Sequence, residues 1–237
     1  MGAQRGTDDH DRASVASAPA ARGGRRGPGG PHVRPGGTGD GAFVAGLHAA
    51  GIADGFLSGL GPRFLAVLYR RIALDRDSFL LVAEDDAATR VGFVAGTCGV
   101  GRLYRSFLLH DGVRAAAAAP VRLARSWRHA LETLRYGSGE DVSEAATPAG
   151  ASEVELLSVA VVPAARGGGV GGALVGAFVD EVRSRGIGRA AVVVGASNAS
   201  AVAMYRRAGF GGDEELEVHR GTPSLRLTWP APSGGHQ

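Results

Sequence analysis

Between Val159 and Val175 the chain reads VAVVPAARGGGVGGALV: an apolar run stopped by Pro163, then Arg166, then six residues of which five are glycine. Adjacent glycines bring no side chains to a core and lose more conformational freedom on ordering than any other residue. The run before them has the short apolar pattern of a strand, and the apolar residues after Val170 recur at helical spacing. Strand, glycine turn and helix in succession restrict the chain to an α/β sheet with a helix N-terminus at the end of a strand. The first amides of such a helix lack partners within it, and its end carries about half a positive charge. Without β-carbons, a diphosphate can approach those amides closely. The turn is therefore expected to hold an anion; a plain glycine-rich surface turn is the alternative.

The rest of the C-terminal part alternates in the same way. EVELLSVAV reads as a strand, Val170 to Arg185 as a helix, RAAVVVGAS as a strand and Asn198 to Ala208 as a helix, with EELEVHR and SLRLTW as closing strands. Gly186 and Gly209 follow helical runs, where a left-handed cap is expected. Upstream, Phe56, Leu57, Leu60, Phe64, Leu65, Leu68 and Tyr69 repeat at spacings of three and four, the pattern of an amphipathic helix. SFLLVAE and RVGFVAGTC, linked by EDDAATR, read as a strand pair. Residues 101–136 read as helical, with Pro120 opening a second helix, and GSGEDVSEAATPAGAS as a loop. Residues 1–41 are crowded with Gly, Pro, Ala, Arg and Asp and are expected to be a disordered tail. The domain is expected to span 42–230, with 101–150 a helical insertion and loop and 231–237 a second tail.

Composition removes several chemistries. All 26 basic residues are arginine, so neither a lysine-dependent phosphate loop nor a lysine Schiff base can be built. Residues 1–40 hold six Arg and four Asp, a net +2, and the remaining 197 residues hold 20 Arg and 19 acids, a net +1. The folded part is nearly neutral, which argues against a nucleic-acid surface. Single Cys98 cannot form an internal disulfide or a thiolate metal site and reads as a small buried hydrophobe; no metal is expected. No apolar run reaches the ~18 residues of a membrane span, and no apolar leader is evident. A cytoplasmic location away from membranes is expected.

Gly167, Gly169 and Gly172 fit the GxGxxG of dinucleotide folds, but AAVVVGAS, the next strand, lacks the ribose-binding acid that should follow. A second pattern fits better. Arg166-Gly167-Gly168-Gly169-Val170-Gly171 has the form Arg/Gln-x-x-Gly-x-Gly/Ala, and NASAVAMYRRAGF, Asn198 to Phe210, follows at the right remove. Over residues 153–212 these motifs resemble the GNAT superfamily of acyl-CoA N-acyltransferases, and the resemblance extends more weakly from residue 42. It implies a mixed central sheet split at the acyl-CoA site, flanked by helices, with 101–136 outside the common core.

The resemblance also implies roles. The pantetheine arm would lie beside Val159, Ala160 and Val161 like an added strand. The pyrophosphate would take the amides of Gly167, Gly168, Gly169, Val170, Gly171 and Gly172, with Arg166 opening the turn. Asn198 would contact the cofactor arm, and is equally a helix N-cap. Tyr205 matches the family's general acid: a tyrosine of pKa ~10 can protonate a leaving thiolate of pKa ~8.5. Glu155 stands where one branch carries a base glutamate, Glu153 shares its strand face, and the base is open between these two and water. In ribosomal-protein N-terminal acetyltransferases a base glutamate occupies the position of Val193, which puts that mechanism in doubt. The implied activity is transfer of acetyl from acetyl-CoA directly to an amine of unidentified acceptor; a non-catalytic acyl-CoA-binding module is the alternative. Monomer and homodimer are both compatible with the sequence.

Overall fold

The computed structural model describes residues 30–51, 61–118, 153–219 and 222–232. They form one seven-stranded mixed sheet: β1 (His32–Pro35), β2 (Ser78–Glu84), β3 (Arg90–Thr97), β4 (Glu153–Val161), β5 (Arg189–Gly195), β6 (Gly211–His219) and β7 (Thr222–Trp229). The spatial order is β1-β2-β3-β4-β5-β7-β6. All neighbours are antiparallel except β4 and β5. Helices α1 (Gly41–Gly51), α2 (Pro62–Leu74) and α3 (Val100–Ala118) pack on one face, here the front; α4 (Val170–Ser184) and α5 (Ala199–Arg207) pack on the back.

Strands and helices sit where the hydrophobic pattern requires. Strand β2 is buried along nearly its whole length, because alternate residues serve both cores: Phe79 and Leu81 the back, Leu80 and Val82 the front. Leu174, Val175, Phe178 and Val182 of α4 are fully buried, each contributing about 1.5–3 kcal/mol. The front core joins Val44 of α1 and Leu65 and Leu68 of α2 to Phe93 of β3. Of the helix expected upstream, Phe64, Leu65, Leu68 and Tyr69 lie on the buried face of α2, while Phe56, Leu57 and Leu60 lie outside the described residues. So do the helix expected from Pro120, the loop before β4 and residues 1–29 and 233–237. Cys98 follows β3, half-buried against the back core, where burial pushes its thiol up. Gly186 and Gly209 take φ of 72° and 90°.

Order begins earlier than the composition suggested. Val33 of β1 pairs with Ala83 of β2, nine residues before the expected domain start at Ala42. The physical reason is an ion cluster. Arg34 donates through its two terminal nitrogens to Asp40 at 2.9 and 3.0 Å and through Nε to Glu84 at 2.7 Å. Asp40, 6% exposed, also accepts from the Gly37 amide, and these donors hold its carboxyl below the usual range. A Gly/Pro-rich approach can thus be ordered by a charged clasp in place of apolar burial. Among the described residues no helix is long and apolar enough to cross a membrane.

Candidate active site

Parallel pairing of β4 with β5 runs only from Glu153–Arg189 to Leu156–Val192. Beyond it the two strands diverge. At the same point the β3–β4 register skips a residue: Gly96 pairs with Leu156 and Ala95 with Ser158, leaving Leu157 as a bulge. The bulge changes which residues face which side. Val154 and Leu156 belong to the back core, Leu157 and Ala160 to the front, Val159 and Val161 again to the back. A bulge bends its strand and ends regular pairing, which is how a continuous sheet comes to be split here.

The split opens a cleft of about 550 Å³. Its strand wall is Val159, Ala160 and Val161; its loop wall is Arg166, Gly167, Gly169, Gly171 and Gly172; its helix wall, from α5, includes Ala201, Met204 and Tyr205. Ala165, Asn198, Ser200, Arg207 and Val194 complete it. Gly168 and Val170 do not line it. Val170 turns its side chain into the back core at 6% exposure, so only its backbone belongs to the loop.

Geometry explains the glycines. Gly167 and Gly169 both take φ of +80°, a conformation that is costly for residues with a β-carbon. Gly169 is the N-cap of α4, and the first intrahelical bond, from Ala173 N to Gly169 O, is 3.0 Å. The amides of Val170, Gly171 and Gly172 precede that bond and have no intrahelical acceptor. At Gly171 a β-carbon would stand 2.8 Å from Met204 Sδ, so glycine keeps α4 and α5 close at the cleft. Arg166 donates through Nε to the Val161 carbonyl at 3.2 Å, tying the loop back to the strand. The structure contains the dipole end, the open amides and the room that a diphosphate would use.

Asn198 caps α5, accepting from the Ala201 amide at 3.1 Å and the Ser200 hydroxyl at 3.0 Å, and lines the cleft as well. Tyr205 is 4% exposed, packs edge-on against Phe210 with centroids 5.7 Å apart, and shows no hydrogen bond from its hydroxyl among the described residues. Burial pushes its pKa up.

The two acids of β4 separate on the front face. Glu153 is bound by Arg226 and approached by Arg189 at 3.8 Å. Glu155, two residues on, has no ion pair among the described residues. Its surface is solvent-accessible, yet protein crowds it enough that burial pushes its carboxyl up, against a lowering by Arg226 and with a smaller push from Glu153. Tyr104 of α3 stands near enough to be affected: burial and the Glu155 charge raise it to about 12. Val193 is 40% exposed and pairs with Arg226. Sequence reading missed Ala165, Val194, Ser200, Ala201, Met204 and Arg207; of these only Ala201, three residues after Asn198 and four before Tyr205, was signalled by helical spacing. It had no means of finding Tyr104.

A family model for the acetyltransferase (GNAT) family matches residues 54–210. The chain belongs to this family. No curated protein matches it. Among solved structures, it is similar to yncA from Salmonella typhimurium with its cofactor acetyl-CoA, at 17% identity over 84% of this chain and 92% of that one, with a TM-score of 0.53. It is also similar to a GNAT superfamily phosphinothricin acetyltransferase from Sinorhizobium meliloti in complex with acetyl-CoA, at 15% identity over 87% and 91%, with a TM-score of 0.53. A third likeness is to SsHAT, at 21% identity over 84% and 97%, with a TM-score of 0.56. At such identities the likeness is one of fold. The GNAT fold expected from the motifs, a mixed central sheet flanked by helices, is the fold found, and its sheet is open.

Proposed function

We propose that this GNAT protein is an N-acetyltransferase that takes acetyl-CoA in the cleft between β4 and β5 and passes the acetyl group directly to an amine arriving from the front. The observation that carries the reading is the convergence of three walls on one cleft: an unpaired strand edge, a glycine-capped helix N-terminus and Tyr205. The strand edge from Val159 to Val161 can hydrogen-bond an extended arm. The amides of Gly167 to Gly172 can take the diphosphate.

In this reading the amine nitrogen attacks the thioester carbonyl, the C–S bond breaks, and the leaving thiolate takes the Tyr205 proton. The nitrogen surrenders its own proton to Glu155. A raised carboxyl pKa suits that task, because a base works best when its pKa approaches the working pH. Glu153, bound by Arg226, is the weaker candidate, which supports the preference for Glu155 that the family resemblance implied. Support for these roles is positional: Tyr205 lines the cleft, and Glu155 lies on the cofactor strand just before the split.

The test begins with thermal unfolding of the full chain in acetyl-CoA and, separately, in NAD. A ligand at 100 times its dissociation constant adds about 2.7 kcal/mol, or about 5–10 °C for a domain of this size. The expected result is a shift with acetyl-CoA alone, followed by thiol release on at least one member of a panel of amines. A shift with NAD alone overturns the proposal. Acetyl-CoA binding without turnover on any amine leaves a binding module.

A further inference from the structure

On the front face, behind the bulge, three polar side chains from three elements meet in the core. His48 of α1 is 6% exposed, Tyr69 of α2 3% and Ser158 of β4 7%. The Tyr69 hydroxyl lies 2.6 Å from His48 Nδ1 and 2.7 Å from Ser158 Oγ. One hydroxyl has a proton to give and lone pairs to receive, so it serves both neighbours. Around them the core is apolar: Val44, Leu65, Leu68 and Phe93, with Tyr69 packed edge-on to Phe93 at 5.3 Å. Packing alone would be met by three apolar side chains. What the polar chain adds is direction, since buried hydrogen bonds between side chains specify one arrangement of the groups they join.

The group it joins is the bulge. Ser158 is the residue at which the β3–β4 ladder resumes after Leu157, and β5 has left β4 at Leu156. Here β4 has lost its neighbour on one side and skipped a register on the other. Its course from Leu157 to Val161, the strand wall of the cleft, is held on the front side through Ala160, through Leu157 and through the Ser158 hydroxyl.

We propose that His48 and Tyr69 are positioning residues that, through Ser158, fix the β4 bulge and hence the strand backbone beside which the reacting thioester lies. The chain sets turnover; cofactor affinity, shared between this strand edge and the glycine loop on the far side of the cleft, changes less. Burial keeps His48 neutral by lowering its pKa and keeps the Tyr69 hydroxyl protonated by raising it. The members therefore act as hydrogen-bond partners, not as a store for protons. Tyr104 is close enough to Tyr69 to affect it, and Glu155 in turn affects Tyr104, so the chain borders the proposed base. This inference rests on the acetyl-transfer reading above.

The experiment uses the full chain and an amine that the wild type acetylates. Tyr69→Phe removes the central hydroxyl and keeps the ring; Ser158→Ala removes the far end; His48→Leu and His48→Asn remove and partly restore the near end. The measurements are kcat, KM for acetyl-CoA and the acetyl-CoA dissociation constant, all taken below each variant's melting range. We expect kcat to fall by about tenfold or more in Tyr69→Phe and Ser158→Ala, with acetyl-CoA KM and affinity within about twofold, the pattern of an interaction made in the transition state. His48→Asn should recover part of what His48→Leu loses. Wild-type kcat in Tyr69→Phe and Ser158→Ala, or a rise in KM alone, overturns the positioning role while leaving acetyl transfer standing. A wild type that binds acetyl-CoA and acetylates no amine overturns both.

Discussion

Replacing Tyr205 by phenylalanine separates chemistry from packing, because the ring packs in the core while the hydroxyl carries the proposed acid role. The ring is 4% exposed and packs edge-on against Phe210; phenylalanine keeps that contact. The hydroxyl has no hydrogen-bond partner among the described residues, so its removal strands no donor or acceptor there. The stability change should stay under about 1 kcal/mol, less than about 4 °C in melting temperature. Turnover should behave differently. A positioned acid contributes roughly 10²–10⁴-fold, but a thiolate of pKa ~8.5 departs without a proton more readily than an alkoxide would. The loss should therefore lie near the lower end, about tenfold to a hundredfold, or about 1.4–2.7 kcal/mol of activation free energy. Burial pushes the phenol above its ordinary range, so it stays protonated across neutral pH, and its loss should depress kcat at every pH between about 6 and 9. Thiol release on an accepted amine, with calorimetric acetyl-CoA affinity, is the assay. A kcat within about twofold of wild type across that range would refute the acid role. Weaker acetyl-CoA binding at unchanged kcat would make Tyr205 a wall of the cleft instead.

Gly169→Ala forces a β-carbon into φ of +80° at the N-cap of α4; the expected loss is about 1–2 kcal/mol, visible as a lower melting temperature together with weakened acetyl-CoA binding in a titration. Glu155→Gln should raise the melting temperature at pH 7–8 while lowering turnover by about tenfold or more. The sign follows from the raised carboxyl: its stabilising contribution is present below the unfolded pKa of ~4.3 and is lost as pH rises through the folded value, so the glutamine gains at neutral pH and the gain vanishes near pH 4. Unchanged turnover would return the base role to water. Arg34→Ala leaves buried Asp40 without its bidentate partner; discounted for the solvent exposure of the arginine, the loss should be about 1–3 kcal/mol by thermal melting. Because Asp40 is held below its usual range, that difference is present above pH ~4 and shrinks as pH falls through the folded value. An unchanged melting temperature would mean that β1 does not unfold with the sheet.

Whatever depends on neighbours along the chain was legible. The strand EVELLSVAV is β4 residue for residue, and α4 begins at Val170 because Gly169 is a left-handed N-cap. Elements held by distant charge were not. HVRP has one core residue, Val33, and becomes a strand through Arg34 reaching Glu84, fifty positions away. The bulge at Leu157 was equally hidden, since LLSVAV is apolar toward both cores and a skipped residue leaves no break in its pattern. Helix α1 escaped notice for a related reason: GAFVAGLHAAG is small and apolar almost all round, so it shows no polar face to set a period.

The same division runs through the site itself. The glycine loop is a local device, and its meaning could be argued from seven consecutive residues. The front face is not local: Tyr69 meets Ser158 across 89 positions, and Arg226 meets Glu153 across 73. Glu153 and Glu155 are chemically identical, lie two residues apart and share one strand face, so no reading of spacing could rank them. Arg226 ranks them. It binds Glu153 and leaves Glu155 unpaired among the described residues, where burial raises the carboxyl against a lowering by Arg226. Two carboxylates in different surroundings can take different work: Glu153 holds β4 to β7 across β5, and Glu155 is the one proposed to take a proton. Arg226→Ala should therefore remove that distinction, leaving Glu153 without its ion-pair partner on β7. If the base role is set by this division, a kcat–pH profile measured on Arg226→Ala should move its acidic limb upward, since the cation that lowers Glu155 is gone as well. A profile that keeps its wild-type limb would show that Arg226 serves the sheet alone.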